Sequence, residues 1–217
     1  MKNSITIAIT LGSILLFSCR SPYFNTANDL RFMEGTVYLT NGRTVDGKIS
    51  VSSGSFLSSP LKVYQDGDKK PMQFSLRDIQ SYRLRNDYFD LKNIRGGLSI
   101  GQHFVFMKRL TPEDSRIHLY EHLVQSRDKR DLHRNRYETE YFMQLPSDNS
   151  TDVWPVNGSK LVPEFDEKMS KLVKDCPNLS KKIAGKEEGY FYRQVTIFKE
   201  KRMDVLLNII EEYNQCR

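Results

Sequence analysis

The chain has 217 residues, 38% hydrophobic and 28% charged, a balance that belongs to a folded soluble domain and not to a disordered chain. Its 33 Lys and Arg against 27 Asp and Glu leave +6, a moderate excess compatible with plain solubility or with contact to an anionic surface. Eleven Tyr and twelve Phe, with very little Ala, tilt the expectation toward β-structure.

Lys2 opens the chain with a positive charge, and Ile5 to Phe17 is almost wholly apolar. That run is shorter than the roughly 20 residues a bilayer span needs, and it suits the apolar core of a secretory signal. It ends in Leu16-Phe17-Ser18-Cys19, which resembles the lipobox of bacterial lipoprotein signals, with Phe17 bulkier than usual for its place. An ordinary cleaved signal with an incidental cysteine is the alternative. The resemblance implies that residues 1–18 are a removable signal peptide. It also implies that Cys19 carries a diacylglyceryl thioether and a further palmitate-like chain on its amine. Two chains already anchor a protein stably. Arg20 stands where an inner-membrane lipoprotein of the enterobacterial type would carry Asp, and no acidic run follows, so the expected address is the outer membrane, facing the periplasm. Removing the signal takes away Lys2 and no acid, leaving one charge fewer than +6. Such a surface outside the cytoplasm suits anionic lipid, lipopolysaccharide phosphate or acidic glycan, and the compartment argues against nucleic acid. With Cys19 acylated, Cys176 and Cys216 remain as an even pair in an oxidising compartment. As a disulfide they would close a loop worth on the order of 4 kcal/mol in the chain-entropy model; two free thiols are the alternative. A metal site is disfavoured, because no histidine lies near either cysteine in sequence.

Residues 19–32 lack periodicity and read as a lipidated tether, able to reach roughly 40 Å when extended. A β-rich module is expected over 33–158. Gly35 to Thr40, Asn41-Gly42 and Arg43 to Val51 form a hairpin pattern, with Asn-Gly suited to a type I′ turn and Gly47 to a bulge. Further strands are expected at Leu61–Tyr64, Met72–Leu76, Ile79–Leu84, Gln102–Leu110, Ile117–Val124, Tyr137–Leu145 and around Val153–Val156. Gly96-Gly97 reads as a breaker. A helical module follows over 159–217. Phe165, Met169, Leu172, Val173 and Cys176 recur at helical spacing, Pro177 opens a short helix stopped by Gly185, and a last helix from about Thr196 carries Val205, Leu206, Ile209, Ile210 and Tyr213. The fold class is α+β, an antiparallel barrel- or sandwich-like module followed by helices.

Candidate chemistries fall away one by one. Ser59-Pro60-Leu61-Lys62 and Ser147-Asp148-Asn149 spell two penicillin-binding signatures, but the first reads as a strand, where Ser and Lys cannot sit one helical turn apart, and no K-T-G follows. His118 and His122 have helical zinc spacing, yet on a strand they stand about 13 Å apart and read as surface histidines. His103 and His133 show no partner. Gly96 to Gly101 lacks the Lys-Ser/Thr of a phosphate cradle. The segment 127–136 holds Arg127, Lys129, Arg130, Arg134 and Arg136; it reads as a solvated hairpin tip or as a docking patch for phosphate-bearing lipid or glycan.

Val37 to Arg43 with Gly47-Lys48-Ile49 resembles the opening hairpin of Sm-like and SH3-type barrels. That hairpin, the strand Ile117 to Glu121, and the ending Asp175 to Ile183 with Tyr213 to Cys216 together resemble uncharacterised exported proteins of Bacteroidota-type bacteria. This likeness brings no activity with it. The expectation is a lipid-anchored envelope protein without cofactor or catalytic residues, acting by binding another envelope protein or an anionic lipid or glycan. The alternative is an envelope hydrolase, which would need a cleft gathering Glu121, His118 or Asp148.

Overall fold

The computed structural model describes residues 21–52, 61–68, 70–95, 104–127, 135–158, 160–192 and 199–216. In chain order these form β1 (Tyr23–Thr26), β2 (Asp29–Leu39), β3 (Thr44–Val51), β4 (Leu61–Tyr64), β5 (Met72–Phe74), β6 (Ile79–Leu84) and β7 (Asp87–Ile94). Then come β8 (Phe104–Arg109), β9 (His118–Arg127), β10 (Asn135–Gln144), β11 (Asp152–Pro155), α1 (Phe165–Leu172), α2 (Pro177–Ala184) and α3 (Lys199–Gln215). The fold is α+β, strands first and helices last, as expected.

One sheet runs β11-β10-β9-β8-β7-β6-β2-β3-β4-β5, and β11 also pairs with β7. That extra pairing closes β7 to β11 into a five-stranded barrel. An antiparallel meander with an odd number of strands leaves its first and last members parallel, and β7–β11 is the parallel pair. The closure is held by Asn93 N–H on the Thr151 carbonyl (2.8 Å) and Arg95 N–H on the Val153 carbonyl (2.9 Å). Asp152 reinforces it by accepting from Asn93 Nδ2 (2.9 Å) and Arg95 Nε (3.0 Å). Burial pushes the Asp152 carboxyl pKa up, but Arg95, Asn93 and Asn149 outweigh that and hold it below the usual range.

The pleat divides the ring's side chains between three apolar clusters. Tyr120 of β9 faces Phe142 of β10 inside the ring, with Met107 and Val153. The neighbouring pair, Leu119 and Met143, faces outward and packs under the helices. Phe89, Leu91 and Phe106 turn to the N-terminal strands, where they join Val37, Ile49, Leu61 and Tyr82. The helices bury Phe165, Met169 and Val173, then Leu179 and Ile183, then Leu206, Ile209, Ile210 and Tyr213, the faces read from their spacing. Because Ile117, Leu119, Met143 and Leu145 belong to the same cluster, the helical module has no core separate from the barrel.

Cys176 and Cys216 are joined, with Cα atoms 5.8 Å apart and a sequence separation of 40. Around the bridge, Arg116 lies over the Tyr213 ring (3.7 Å), pairs with Asp175 and donates to the Cys216 carbonyl (3.3 Å). This clasps the end of α3 to the β8–β9 connection.

Several expectations are corrected. The tether expected over 19–32 does not extend through 23–32: β1 already begins at Tyr23 and pairs antiparallel with β2. The turn beyond β1 is pinned to β8, because Asn28 Nδ2 donates to the Phe106 carbonyl (3.0 Å) and Asn28 Oδ1 accepts its N–H (2.8 Å). The strand β7 was not expected; its Asp90, Lys92 and Asn93 hide the alternation of Phe89 and Leu91. The β2–β3 turn is not type I′. Only Gly42 has positive φ (80°), Gly42 N–H bonds the Leu39 carbonyl, and Leu39 N–H bonds the Arg43 carbonyl, a three-residue loop with Gly in the left-handed position. Gly47 is not a bulge but sits in register opposite Gly35, where a Cβ would meet the Tyr64 carbonyl oxygen at 2.7 Å. The helix α2 stops through Lys186 in the left-handed region (φ 57°) beyond Gly185, with Glu187 N–H on Lys182 and Lys186 N–H on Ile183.

Candidate functional site

The expected sites are scattered by the fold. Cys19, Lys129, Arg130 and Arg134 lie outside the described residues, as do His103, His133, Ser59 and the Gly96 to Gly101 run. The β9–β10 ladder extends to the pair Arg127–Asn135, so the basic segment connects that hairpin. Arg136 is exposed beside Glu138 (3.5 Å). Lys62 stands on a strand, as expected. Glu121 and His118 point to opposite faces of β9, and Asp148 is held by Lys160 Nζ (2.7 Å) and the Leu145 N–H (2.9 Å), so these three do not share a cleft. His118 and His122 are half-buried rather than on the surface, because β9 turns them to the face that carries Tyr120.

The barrel interior instead collects a polar group that sequence reading missed. Lys92, 6% exposed, donates to Gln144 Oε1 (3.0 Å) and the Ser150 carbonyl (2.7 Å) and lies over the Tyr120 ring (4.7 Å). Tyr120 OH donates to Asp90 Oδ2 (3.3 Å), which also faces Arg109 Nε (3.6 Å). Burial, opposed by Asp90 and helped by Arg109, lowers the Lys92 ammonium pKa to about 8. Burial and then Lys92 and Arg109 lower that of His118, whose Nδ1 meets Thr111 Oγ1 at 3.3 Å. A lysine so perturbed suits a base or nucleophile only where a substrate reaches it. Here two of its donors bond main chain and amide, and the third side faces a ring. The arrangement is a strut between β7, β9 and the end of β10, closed on itself.

Among the described residues, an open concavity lies on the N-terminal strands, between β1 and β2–β4. The register of β2 on β3 slips between Leu30 and Met33, so Arg31 and Phe32 together oppose Ser50. Phe32 adopts φ 51°, which costs an L-residue roughly 1–2 kcal/mol, and its N–H bonds Ser50 Oγ (3.0 Å). The bulge thus delivers two side chains to the outward face where regular pleating would deliver one. Ser50 also pairs across to Lys62 on β4, and the Tyr64 ring lies tilted against Phe32, centroids 4.8 Å apart. β1 supplies a wall, with Tyr23 beneath Arg31 (5.4 Å) and donating to Asp29 Oδ1 (3.0 Å). The result is a hollow of about 540 Å³ lined by Tyr23, Arg31, Phe32, Ser50, Lys62 and Tyr64 among others, with Ser21 at its rim and no carboxylate in its lining. A second hollow, about 990 Å³, lies across Phe32 and Tyr64; it mixes Lys48 and Arg85 with Glu34, Asp66 and Asp87. Sequence does carry a trace of the first: Leu30-Arg31-Phe32-Met33 breaks the two-residue alternation, which is what a bulge does.

Among the described residues, no group of three or more His, Cys, Asp or Glu could hold a metal ion. No helix there is long and apolar enough to cross a membrane. Protein-family models, curated proteins and solved structures yield no match to this chain.

Proposed function

We propose that this chain is a lipid-anchored protein of the bacterial cell envelope. Acylated Cys19 holds it at the outer membrane, facing the periplasm, and it works by binding an envelope component rather than by turning over a substrate. The observation that carries the reading is the Cys176–Cys216 bridge. Structural disulfides belong to oxidising compartments, and this one leaves Cys19 as the odd cysteine at the end of the lipobox-like signal. Its likeness to exported proteins of Bacteroidota-type bacteria points to the same address. Binding is favoured over hydrolysis because the titratable groups inside the barrel are closed on one another, whereas the open hollow offers cations, hydroxyls and aromatic rings.

The test is the intact mass, without reduction and with peptide mapping, of native protein extracted from membranes. A chain beginning at acylated Cys19, with two hydrogens missing across Cys176 and Cys216, is the expected result. An unacylated chain that begins elsewhere overturns the anchoring. Turnover of an envelope-derived substrate by the purified protein would sink the binding role.

A further inference from the structure

We infer that the hollow between β1 and the outward face of β2–β4 takes the phosphate-bearing headgroup of an anionic phospholipid in the leaflet that holds the anchor. This rests on the acylation of Cys19 proposed above. Tyr23, the first residue of β1, lies four residue steps beyond Cys19, and four steps reach at most about 14 Å when fully extended. The headgroup zone of each leaflet is itself about 5–8 Å deep. With β1 fastened by its ladder to β2 and by Asn28 to β8, that short reach keeps the hollow close to the lipid headgroups.

The chemistry of the lining selects the ligand. Arg31 and Lys62 stand on either side of Ser50, two cations with no carboxylate in the hollow to neutralise them. Ser21, Ser50 and Ser52 add hydroxyls, suited to phosphate and glycerol oxygens. Phe32 and Tyr64 form a ring wall, and Tyr23 adds a ring from β1. Aromatic rings of this kind sit well where one end is apolar and the other wet. The neighbouring hollow, with three carboxylates in its lining, has the wrong charge for the same ligand.

The experiment is native mass spectrometry of the mature acylated protein released from detergent micelles supplemented with phosphatidylglycerol or phosphatidylcholine. Phosphatidylglycerol is expected to bind at least about tenfold more tightly. Loss of about fivefold per cation, roughly thirtyfold for Arg31→Ala with Lys62→Ala, is expected from the worth of a basic residue near an anionic membrane surface. Arg31 is exposed and Lys62 half-buried, so the fold survives their truncation. Lys174→Ala with Lys181→Ala, the same change in net charge on exposed positions of the helical module, is expected to leave binding unchanged. Equal affinity for the two lipids, or equal loss in both double variants, overturns the inference. So does glycerol phosphate binding as tightly as phosphatidylglycerol, which would make the ligand a soluble anion. The same spectra report the acyl mass. An acylated protein without lipid preference sinks this inference alone, and an unacylated one sinks the anchoring beneath it.

Discussion

At the scale of single residues, Lys92 carries a pH dependence whose sign follows from its burial. Its folded pKa is about 8 against 10.5 for an unperturbed lysine, so between those values the unfolded chain holds a proton that the folded chain has shed. Stability therefore rises with pH through that window, and below about pH 8 the full cost of burying the ammonium is present. The gain ends near pH 10, where unfolded tyrosines ionise. Burial, then Asp90, hold the Tyr120 phenol pKa far above that value in the folded state. Denaturant unfolding at pH 7.5 and 9.5 is expected to show a rise of about 2 kcal/mol, flattened in Lys92→Met. An equal rise in the variant assigns it elsewhere. The glycines provide a second residue-scale contrast. A Cβ on Gly35 would lie 2.3 Å from the Arg83 carbonyl oxygen and 2.8 Å from Leu84 Cδ2, and backbone cannot swing aside. Gly42 has nothing within 4 Å and only its φ of +80° to defend. Gly35→Ala is expected to cost about 3 kcal/mol or more and Gly42→Ala about 1 kcal/mol; similar costs would mean β6 does not approach β2 so closely.

Among the elements, α3 depends on its far end. The bridge from Cys176 to Cys216 closes a 40-residue loop, and Arg116, Asp175 and Asn214 fasten the same turn to the β8–β9 connection. Cys216→Ser is expected to lower unfolding free energy by about 2–4 kcal/mol. Amide exchange should then accelerate first in α3 and last in β2–β3, which share no cluster with it. Uniform acceleration would contradict that order. The helices were legible because each buries one face against a single surface, which leaves a helical period in Phe165 to Val173 and Val205 to Tyr213. The strand β7 was not. It borders the barrel lumen on one side and the N-terminal core on the other, so polar Lys92 and Asn93 are buried along with Phe89 and Leu91.

For the whole molecule, the proposed acylation of Cys19 makes the distance from that residue to the folded body the decisive dimension. An extended tether to residue 32 would have held the fold well clear of the lipid; β1 brings the folded body to within four residues of Cys19. Inserting a ten-residue Gly/Ser linker between Arg20 and Ser21 is expected to move the body outward by up to about 30 Å, read as reduced energy transfer from protein tyrosines to a headgroup-labelled lipid. Unfolding stability should not change. Unaltered transfer would show that contacts other than the short connection hold the body down.

Sequence alone determined what depends on neighbours along the chain: the signal-like start, the hairpin around Asn41-Gly42, the strand positions from Ile79 to Val156 apart from β7, and the helical faces. It also identified the two cysteines that pair, as the even pair that remains once Cys19 is set aside. Only tertiary structure decided the rest. The approach of Gly35 to Arg83, the parallel closure of β11 on β7, the Lys92 strut and the bulged hollow each join residues from strands distant in sequence. A period of two says which residues share a face; it does not say what that face will meet.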